Sequence, residues 1–545
     1  MHFGPRIAVD GCVASIDGSD NGSFEVLIVA GGGGGGMDMG GGGGGGGVLY
    51  FPATQVDPGV AQTVTVGIGG YGAPAAGTYR TDGAGPQPAG HQYTISATQG
   101  GNSVFGPFTA IGGGFGGSSY YGYTPNYGYG GTGGSGGGCS GYTHGGERYV
   151  DGTNGSTPNN VPGQGFPGGN SGNPASSGDD HYSGGGGGAG GRGTSGPNHL
   201  GLNGTKPNGG IGIENSILGT SYFWAGGGGG AAYVATTGGD GGLGGGGGGA
   251  VGTTTGGAGL NNGSPGGGGS PYSQTNTPGG NAGANTGGGG GGGSHYNSNN
   301  KGGEGGSGIV VVAYKGPQRA TGGTIDTTSR PGFTLHKYTS TGNSTFTPYA
   351  VDTASNLYHC TFNGNAYFTR DGGNGGVFVF DGSGDYLVNT SFNRHQQSTG
   401  TIMAWAYPTA ISGDYYLLGA GGTGTLGATR ALRINSNNWS CVTYGSGGVQ
   451  DYDGITNATV NTWQHAVFVW NGTTVNFYLN GNVSSVTRTG LVNPSGTTFS
   501  IGAPPWALTS SNWAGKIACA RVYDRALSTD EVQTVFNSTR KRFNV

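Results

Sequence analysis

Charge is scarce in this chain. Lys and Arg number 21 and Asp and Glu 25 among 545 residues, together 8%, with a formal net charge of −4. Nucleic-acid binding needs a basic patch or stripe, and none is present; Arg540-Lys541-Arg542 reads as a solvated tail. No apolar run approaches the roughly 18 residues that a membrane-spanning helix needs, and Met1 to Asp10 lack the apolar core of a secretory signal. Cysteine is equally sparse. The five residues Cys12, Cys139, Cys360, Cys441 and Cys519 are scattered and odd in number, so they form neither a zinc spacing nor a disulfide framework. They read as buried free thiols in a chain made in the cytosol. After Pro348 the only glutamate is Glu531, whereas glycoside hydrolysis needs two placed carboxylates. Asp451 and Asp453 are the closest acidic pair and read as part of a turn. GxxxxGK[ST] does not occur, and GxGxxG carries no information against this background. The expectation is a protein that is not an enzyme.

Glycine is what the chain has in excess, 138 residues, most of them before residue 317. Six glycines from Gly31, the triplet Met37-Asp38-Met39 and eight more glycines to Gly47 form the first array; Gly184–Gly188, Gly226–Gly230, Gly244–Gly249 and Gly287–Gly293 repeat the signature. Such runs have no side chains to bury and lose much backbone entropy on ordering. They either stay disordered or form extended left-handed threefold helices of about 3.1 Å rise, hydrogen-bonded sideways to their neighbours, so that seven residues span roughly 22 Å. Composition alone favours disorder. The β-forming islands favour order, because Phe24 to Ala30 opens the array, Ile309 to Tyr314 closes it and Thr63 to Ile68 alternates like a half-buried strand. Asn102–Gly106 leading into Phe108–Ile111 is echoed by Asn215–Gly219 leading into Tyr222–Ala225, which suggests an internal repeat. Paired end strands would template the glycine runs. Residues 324–348 read as a small β meander.

After Pro348, β-branched and aromatic residues replace glycine. Strands are expected at Val377–Phe380, Thr401–Tyr407, Tyr415–Leu418, Ala431–Ile434, Cys441–Tyr444, Thr498–Ile501 and Lys516–Tyr523, with a hairpin Trp463–Trp470/Thr474–Leu479 turned by Asn471-Gly472. Ser528 and Glu531 form a capping box, and Val532, Val535 and Phe536 give the following helix one apolar face. His465 sits within an apolar strand and is expected to be a satisfied core histidine.

Two resemblances follow. The segments FEVLIVAGGGGGG, TVTVGIGG, GGNSVFG, NTGGGGGGG and GSGIVVVAYKG make residues 24–348 resemble glycine-rich proteins of tailed bacteriophages, a class in which polyglycine arrays support exposed loops used as host-recognition adhesins. FVFDGSGDYL, TIMAWAYP, WQHAVFVWNGTTVNFYLNG and RVYDRALSTDEVQTVFN make residues 349–545 resemble the laminin-G-like, concanavalin A-like jelly roll, whose roles are mostly carbohydrate or protein binding, sometimes calcium-assisted. GPRIAVDGCVASIDGSD at the start resembles the strand pair that opens this jelly roll in phage proteins. The implied fold class is mainly β, a jelly-roll sandwich plus a glycine-rich domain with strands and polyglycine-II-like helices. The implied organisation is residues 1–20 as first strands of a discontinuous jelly roll, 24–316 as an inserted glycine-rich domain, 317–348 as a β-rich connector and 349–545 as the jelly roll.

The expected function is a virion structural protein made in the host cytoplasm, a tail-fibre or host-recognition adhesin binding cell-surface polysaccharide; the alternative is capsid or tail decoration without receptor binding. Its expected partners are other virion proteins and host glycan, with neither nucleic acid nor membrane insertion, and a homotrimer fits a fibre. A third reading, ice binding by a flat glycine bundle, leaves the jelly roll unexplained. Sugar binding needs aromatic faces with hydrogen-bonding rims. Tyr121, Tyr123, Tyr127 and Tyr129 crowd one inter-run segment, and Tyr416, Tyr452, Trp506 and Trp513 are the candidates in the jelly roll. Tyr415 and Trp439 belong to the same set, whereas Trp405, Trp463 and Trp470 fit a core better. Asp381 and Asp385 offer oxygen ligands to calcium, though the favoured reading is that they fix turns.

Overall fold

The computed structural model describes residues 12–16, 24–74, 96–119, 128–141, 160–172, 182–196, 206–233, 237–268, 277–295, 300–349, 358–370, 376–422, 429–445, 448–472, 474–487, 491–493 and 495–545. The chain is mainly β. Among the described residues no helix is long and apolar enough to cross a membrane.

Two five-stranded sheets make a sandwich from the apolar islands around the glycine. One sheet runs Thr324–Asp326, Phe333–Tyr338, Ile309–Lys315, Phe24–Val29, Val48–Thr54, and the other Ala320–Thr321, Gly342–Pro348, Gln62–Val66, Ser103–Phe105, Phe108–Ala110. The opening and closing islands pair directly and antiparallel, with Val29 opposite Ile309 and Glu25 opposite Ala313. Phe24, Val26, Ile28, Val64, Phe105, Val310, Val312 and Phe346 fill the space between the sheets. On the outer face of the first sheet Trp224, Ile217 and Leu218 cover Leu27, Val29 and Val311. The expected meander of residues 324–348 is part of this sandwich, since Phe333–Tyr338 pairs with Ile309–Lys315 and Gly342–Pro348 with Gln62–Val66.

The strands feed straight into the glycine runs. Ala30 N–H donates to Gly47 O where the Phe24–Val29/Val48–Thr54 ladder ends. Beyond it, hydrogen bonds rotate among neighbours with a period of three. Gly40, Gly43 and Gly46 donate to Gly293, Gly290 and Gly287; Gly41, Gly44 and Gly47 donate to Gly117, Gly114 and Ile111; Gly42 and Gly45 donate to Gly184 and Gly187. The run from Gly31 to Gly36 donates in the same rotation to segments at 98–101, 303–306 and 41–44, and accepts from segments at 70–73, 113–116 and 290–293. Each of these central runs therefore has six hydrogen-bonded neighbours. Only glycine permits this spacing: a Cβ on Gly43 would lie 2.2 Å from Gly33 O, and one on Gly290 2.0 Å from Gly303 O. The buried backbone satisfies its own polar groups, which is the condition for burying it at all. Asp38 and Met39 take positive φ (53° and 56°) to turn the first array back on itself, and Asp38 pairs with His295.

The C-terminal domain is a second sandwich. Its seven-stranded sheet runs Thr361–Asn363, Tyr386–Asn389, Thr498–Ile501, Asp414–Gly421, Arg430–Asn435, Asn438–Gly445, Gly448–Asn457. Its other sheet runs Tyr367–Arg370, Gly376–Asp381, Ala514–Tyr523, Thr399–Pro408, Gln464–Asn471, Thr474–Leu479, Asn482–Thr487. An eighth strand in that sheet comes from the other end of the chain: Cys12–Ile16 pairs antiparallel with Ala514–Tyr523, Ile16 opposite Ala520. The capping box at Ser528 and Glu531 starts helix Thr529–Thr539, with Val532 and Val535 buried. Arg525 clamps Glu531 through two hydrogen bonds of 2.9 and 2.7 Å and holds its carboxyl down to about 2. Helix and C-terminus cover the outer face of this sheet, where Phe543 stacks on Trp405 at 4.4 Å. Cys139, Cys360, Cys441 and Cys519 are buried and outside any disulfide.

Candidate functional site

Among the candidates on the C-terminal domain, Tyr416 and Trp506 come together. Trp506 is half-buried and meets the Tyr416 ring edge-on, with centroids 5.2 Å apart. Tyr416 itself is only 4% exposed. Its hydroxyl accepts from Arg433 Nη1 at 3.0 Å, and the same nitrogen donates to Asp414 Oδ1 at 3.0 Å. The guanidinium also lies 5.5 Å from the Tyr416 ring centroid. This cluster occupies the outer face of the seven-stranded sheet because Leu432 and Ile434, alternating with Ala431 and Arg433, point into the core. Here Trp506 can offer a ring to a ligand, whereas Tyr416 serves to hold Arg433 and Trp506 in place.

Trp513 is a correction. It is fully buried and stacks on Trp439, itself fully buried, at 6.1 Å in the middle of the sandwich. Alternation along a strand could not reveal this, because Trp513 lies in the segment leading into strand Ala514–Tyr523. Tyr452 pairs with Cys441 in the seven-stranded sheet, and its side chain lies outside the described residues. Tyr121, Tyr123 and Tyr127 also lie outside them; Tyr129 is half-buried.

The two aspartates act on the backbone. Asp385 is buried, and its two oxygens accept from the N–H groups of Asn365 and Asp381. Asp381 Oδ1 accepts from Ser383 N–H at 2.7 Å. Their carboxylates are thus engaged in turn formation, and no group of three or more His, Cys, Asp or Glu suited to a metal occurs among the described residues. His465 is in the core but not satisfied. It packs against Trp405 and Phe536, its Nδ1 has no hydrogen-bond partner, and burial with the nearby Arg521 charge pushes it down to about 3.

A site that the sequence did not reveal lies in the other sandwich. Val48–Thr54 and Phe108–Ala110 are edge strands of the two facing sheets. Between them opens a cleft of about 370 Å³ lined by Phe51, Ala53, Thr54, Gln55, Val56, Gln62, Phe105, Pro107 and Phe108. Phe51 and Phe108 lie together, centroids 4.2 Å apart and planes tilted by 34°. Buried Phe105 and Val56 line it beside these rings, and Gln55, Gln62 and Thr54 supply uncharged polar groups. Gly106 takes φ +53° in the turn between the strands, and a Cβ there would lie 2.4 Å from Gln62 Oε1. Aromatic walls with a few amides suit a neutral ligand that has apolar faces and hydroxyl edges. The one local signal was Pro52 within an otherwise β-forming run, since proline in a sheet marks an edge strand.

Comparison with protein-family models matches residues 381–533 to the concanavalin A-like lectin/glucanases superfamily. Over these residues the C-terminal sandwich is similar to the concanavalin A-like jelly roll. Among solved structures the chain is similar to the binding domain of Paraclostridial Mosquitocidal Protein 1, with 15% identity, a TM-score of 0.30 and coverage of 34% of this chain and 49% of that one. It is also similar to the botulinum neurotoxin serotype D binding domain, with 14% identity, a TM-score of 0.28 and coverage of 34% and 48%. A third is Domain 4 of AbnA, a GH43 extracellular arabinanase from Geobacillus stearothermophilus, in complex with arabinotriose, with 18% identity, a TM-score of 0.29 and coverage of 34% and 91%. The chain spans about half the length of the first two. No curated protein matches it.

Proposed function

We propose that this protein is a bacteriophage virion adhesin, a tail-fibre or host-recognition component that binds cell-surface glycan without chemically altering it. The glycine runs are left-handed threefold helices of the polyglycine II type, a rigid body inserted between the first strand of the jelly roll and the rest of it. Such a body has a featureless interior, so recognition falls to what its margins carry. The observation that carries the reading is the Phe51–Phe108 cleft, uncharged and aromatic-walled, at the open edge of the sandwich that anchors the lattice. Tyr121, Tyr123 and Tyr127 of the tyrosine-rich segment, and Trp506 on the jelly roll, are further candidate contacts of their own. Tyrosine gives wide contact at low entropic cost, and several copies on one particle would turn weak single contacts into useful avidity.

The test measures binding of the purified full chain to a panel of bacterial surface polysaccharides, and its ability to block particle adsorption. F108A is expected to weaken the glycan bound by about tenfold, the equivalent of roughly 1.4 kcal/mol. Replacing Tyr121, Tyr123, Tyr127 and Tyr129 by serine separates a loop contribution from that of the cleft. A chain that binds no glycan and leaves adsorption unchanged would instead decorate the particle, and the adhesin reading would be wrong.

A further inference from the structure

Inside the jelly roll a guanidinium is buried without a carboxylate. Arg430 follows the same inward alternation as Leu432 and Ile434 and is 1% exposed. Nη1 donates to Thr429 O at 3.0 Å and Nη2 to Val492 O at 2.9 Å, while Nε has no partner. The ring of Trp470 lies 5.8 Å from its Cζ. None of the ion pairs among the described residues includes it. Burial lowers its pKa to about 10, which leaves it charged at neutral pH.

Two further buried polar groups lie near it. His395 is fully buried, lies parallel to Phe392 at 5.5 Å and sits against the Ser495 backbone. The adjoining Thr429 is 1% exposed and its Oγ1 has no partner. Segment 395–397, Val492 and Gly496 surround Arg430, tied by Gln396 Nε2 donating to Gly496 O at 2.6 Å and Trp470 Nε1 to Gln397 O at 3.2 Å. Arginine cannot shed its charge as a buried lysine can. Burying a cation without a counter-charge is costly. Water can occupy the spare donors, but only an anion also neutralises the charge.

We propose that Arg430 Nε–H and Thr429 Oγ–H, beside neutral His395, form a binding site for one monovalent inorganic anion of halide size, which the jelly roll holds as part of its core. The site is separate from the proposed glycan contacts and stands or falls independently of them.

The test follows thermal unfolding of the full chain in bromide or chloride against gluconate at constant ionic strength. Raising halide from about 1 to 300 mM should raise the jelly-roll transition by roughly 3 °C or more. R430M should abolish that dependence, and T429V, which keeps the charge, should weaken halide affinity by about tenfold. Should R430M not fold, crystals of the unaltered protein grown in bromide decide the matter by anomalous scattering, with a peak expected beside Arg430 Nε. A halide-independent transition without such a peak, meaning that water alone fills the site, overturns the proposal. So does a halide effect that survives unchanged in a folded R430M.

Discussion

A single glycine in the lattice is as constrained as any core side chain. Gly43 shows why: its missing side chain is where Gly33 O sits, at 2.2 Å from an ideal Cβ. Alanine there must push a neighbouring run aside, and that run is hydrogen-bonded to others. Overpacking a close-packed core costs about 1–3 kcal/mol, and breaking hydrogen bonds in a shared lattice adds to it. G43A is therefore expected to lower the denaturation midpoint of the glycine-rich domain clearly. G268A, where the nearest atom to the new Cβ is 3.5 Å away, should change the stability of that domain by less than about 0.5 kcal/mol. Equal effects at the two positions would show that the interior is not packed as described. Asp38 and Met39 illustrate the opposite constraint, since they carry side chains where the turn asks for positive φ, a few per cent case for non-glycine residues. Buried Met37 and the Asp38–His295 pair tie that turn to its neighbours.

Among the elements, Cys12–Ile16 is the most consequential for its length. Strand Ala514–Tyr523 is paired along one edge by Thr399–Pro408. Its other edge is shared between Gly376–Asp381, reaching Ile517, and Cys12–Ile16, reaching from Ala520 to Tyr523. Without the N-terminal strand, that second half of the edge has no strand to pair with, and open edges destabilise a sheet and invite association. A chain of residues 349–545 alone is expected to melt several degrees lower than the same chain carrying residues 1–20 on a short linker, and to aggregate on heating. Calorimetry with light scattering checks this. Identical melting of the two chains would refute the insertion of the glycine-rich domain into the jelly roll. The hairpin Ser103–Phe105/Phe108–Ala110 and its counterpart Ile213–Asn215/Tyr222–Trp224 use one device twice, each launching a glycine run from a pinned strand. A run that begins hydrogen-bonded loses less entropy on ordering than one that must find its neighbours.

At the scale of the whole molecule, acid is the predicted weakness, because buried histidines in both sandwiches are held neutral. In the first, His336 Nδ1–H donates to Gly322 O and Nε2 accepts from Tyr314 O–H at 2.8 Å, and burial lowers its pKa. In the jelly roll burial pushes His395 to about 4 and His465 to about 3, against an ordinary 6.5. Between those values and 6.5 the unfolded chain binds protons that the folded chain refuses, so stability rises with pH across that window. The contribution is complete above about pH 6.5 and is lost as pH falls toward 4, on the order of 3 kcal/mol for His395 alone. Asp326, held low by Lys337 and Ser329, and Glu531 add losses at still lower pH, discounted because both lie near solvent. Melting temperature measured from pH 7.5 to 4 should fall from about pH 6.5 downward, and H465F should flatten part of that fall. A melting temperature that stays constant from pH 7 to 5 would contradict the burial of these rings as neutral groups.

What the sequence determined by itself was local. Period-two alternation and the Asn471-Gly472 turn placed the jelly-roll hairpin, the Ser528–Glu531 box placed the helix start, and the apolar islands at both ends of the glycine marked strands that pair. These properties follow from backbone sterics and side-chain spacing within a few residues. Tertiary structure alone decided the rest. Glycine runs are chemically identical, so no window of sequence says that Gly43 bonds Gly290 rather than another glycine. Phe51 and Phe108 wall one cleft, and Arg430 and His395 share one buried site, across separations that local pattern cannot bridge. Trp513 became core and Trp506 surface for the same reason. Both lie in one loop with the same intrinsic preferences, and only the position of that loop against the opposite sheet settled which ring was enclosed.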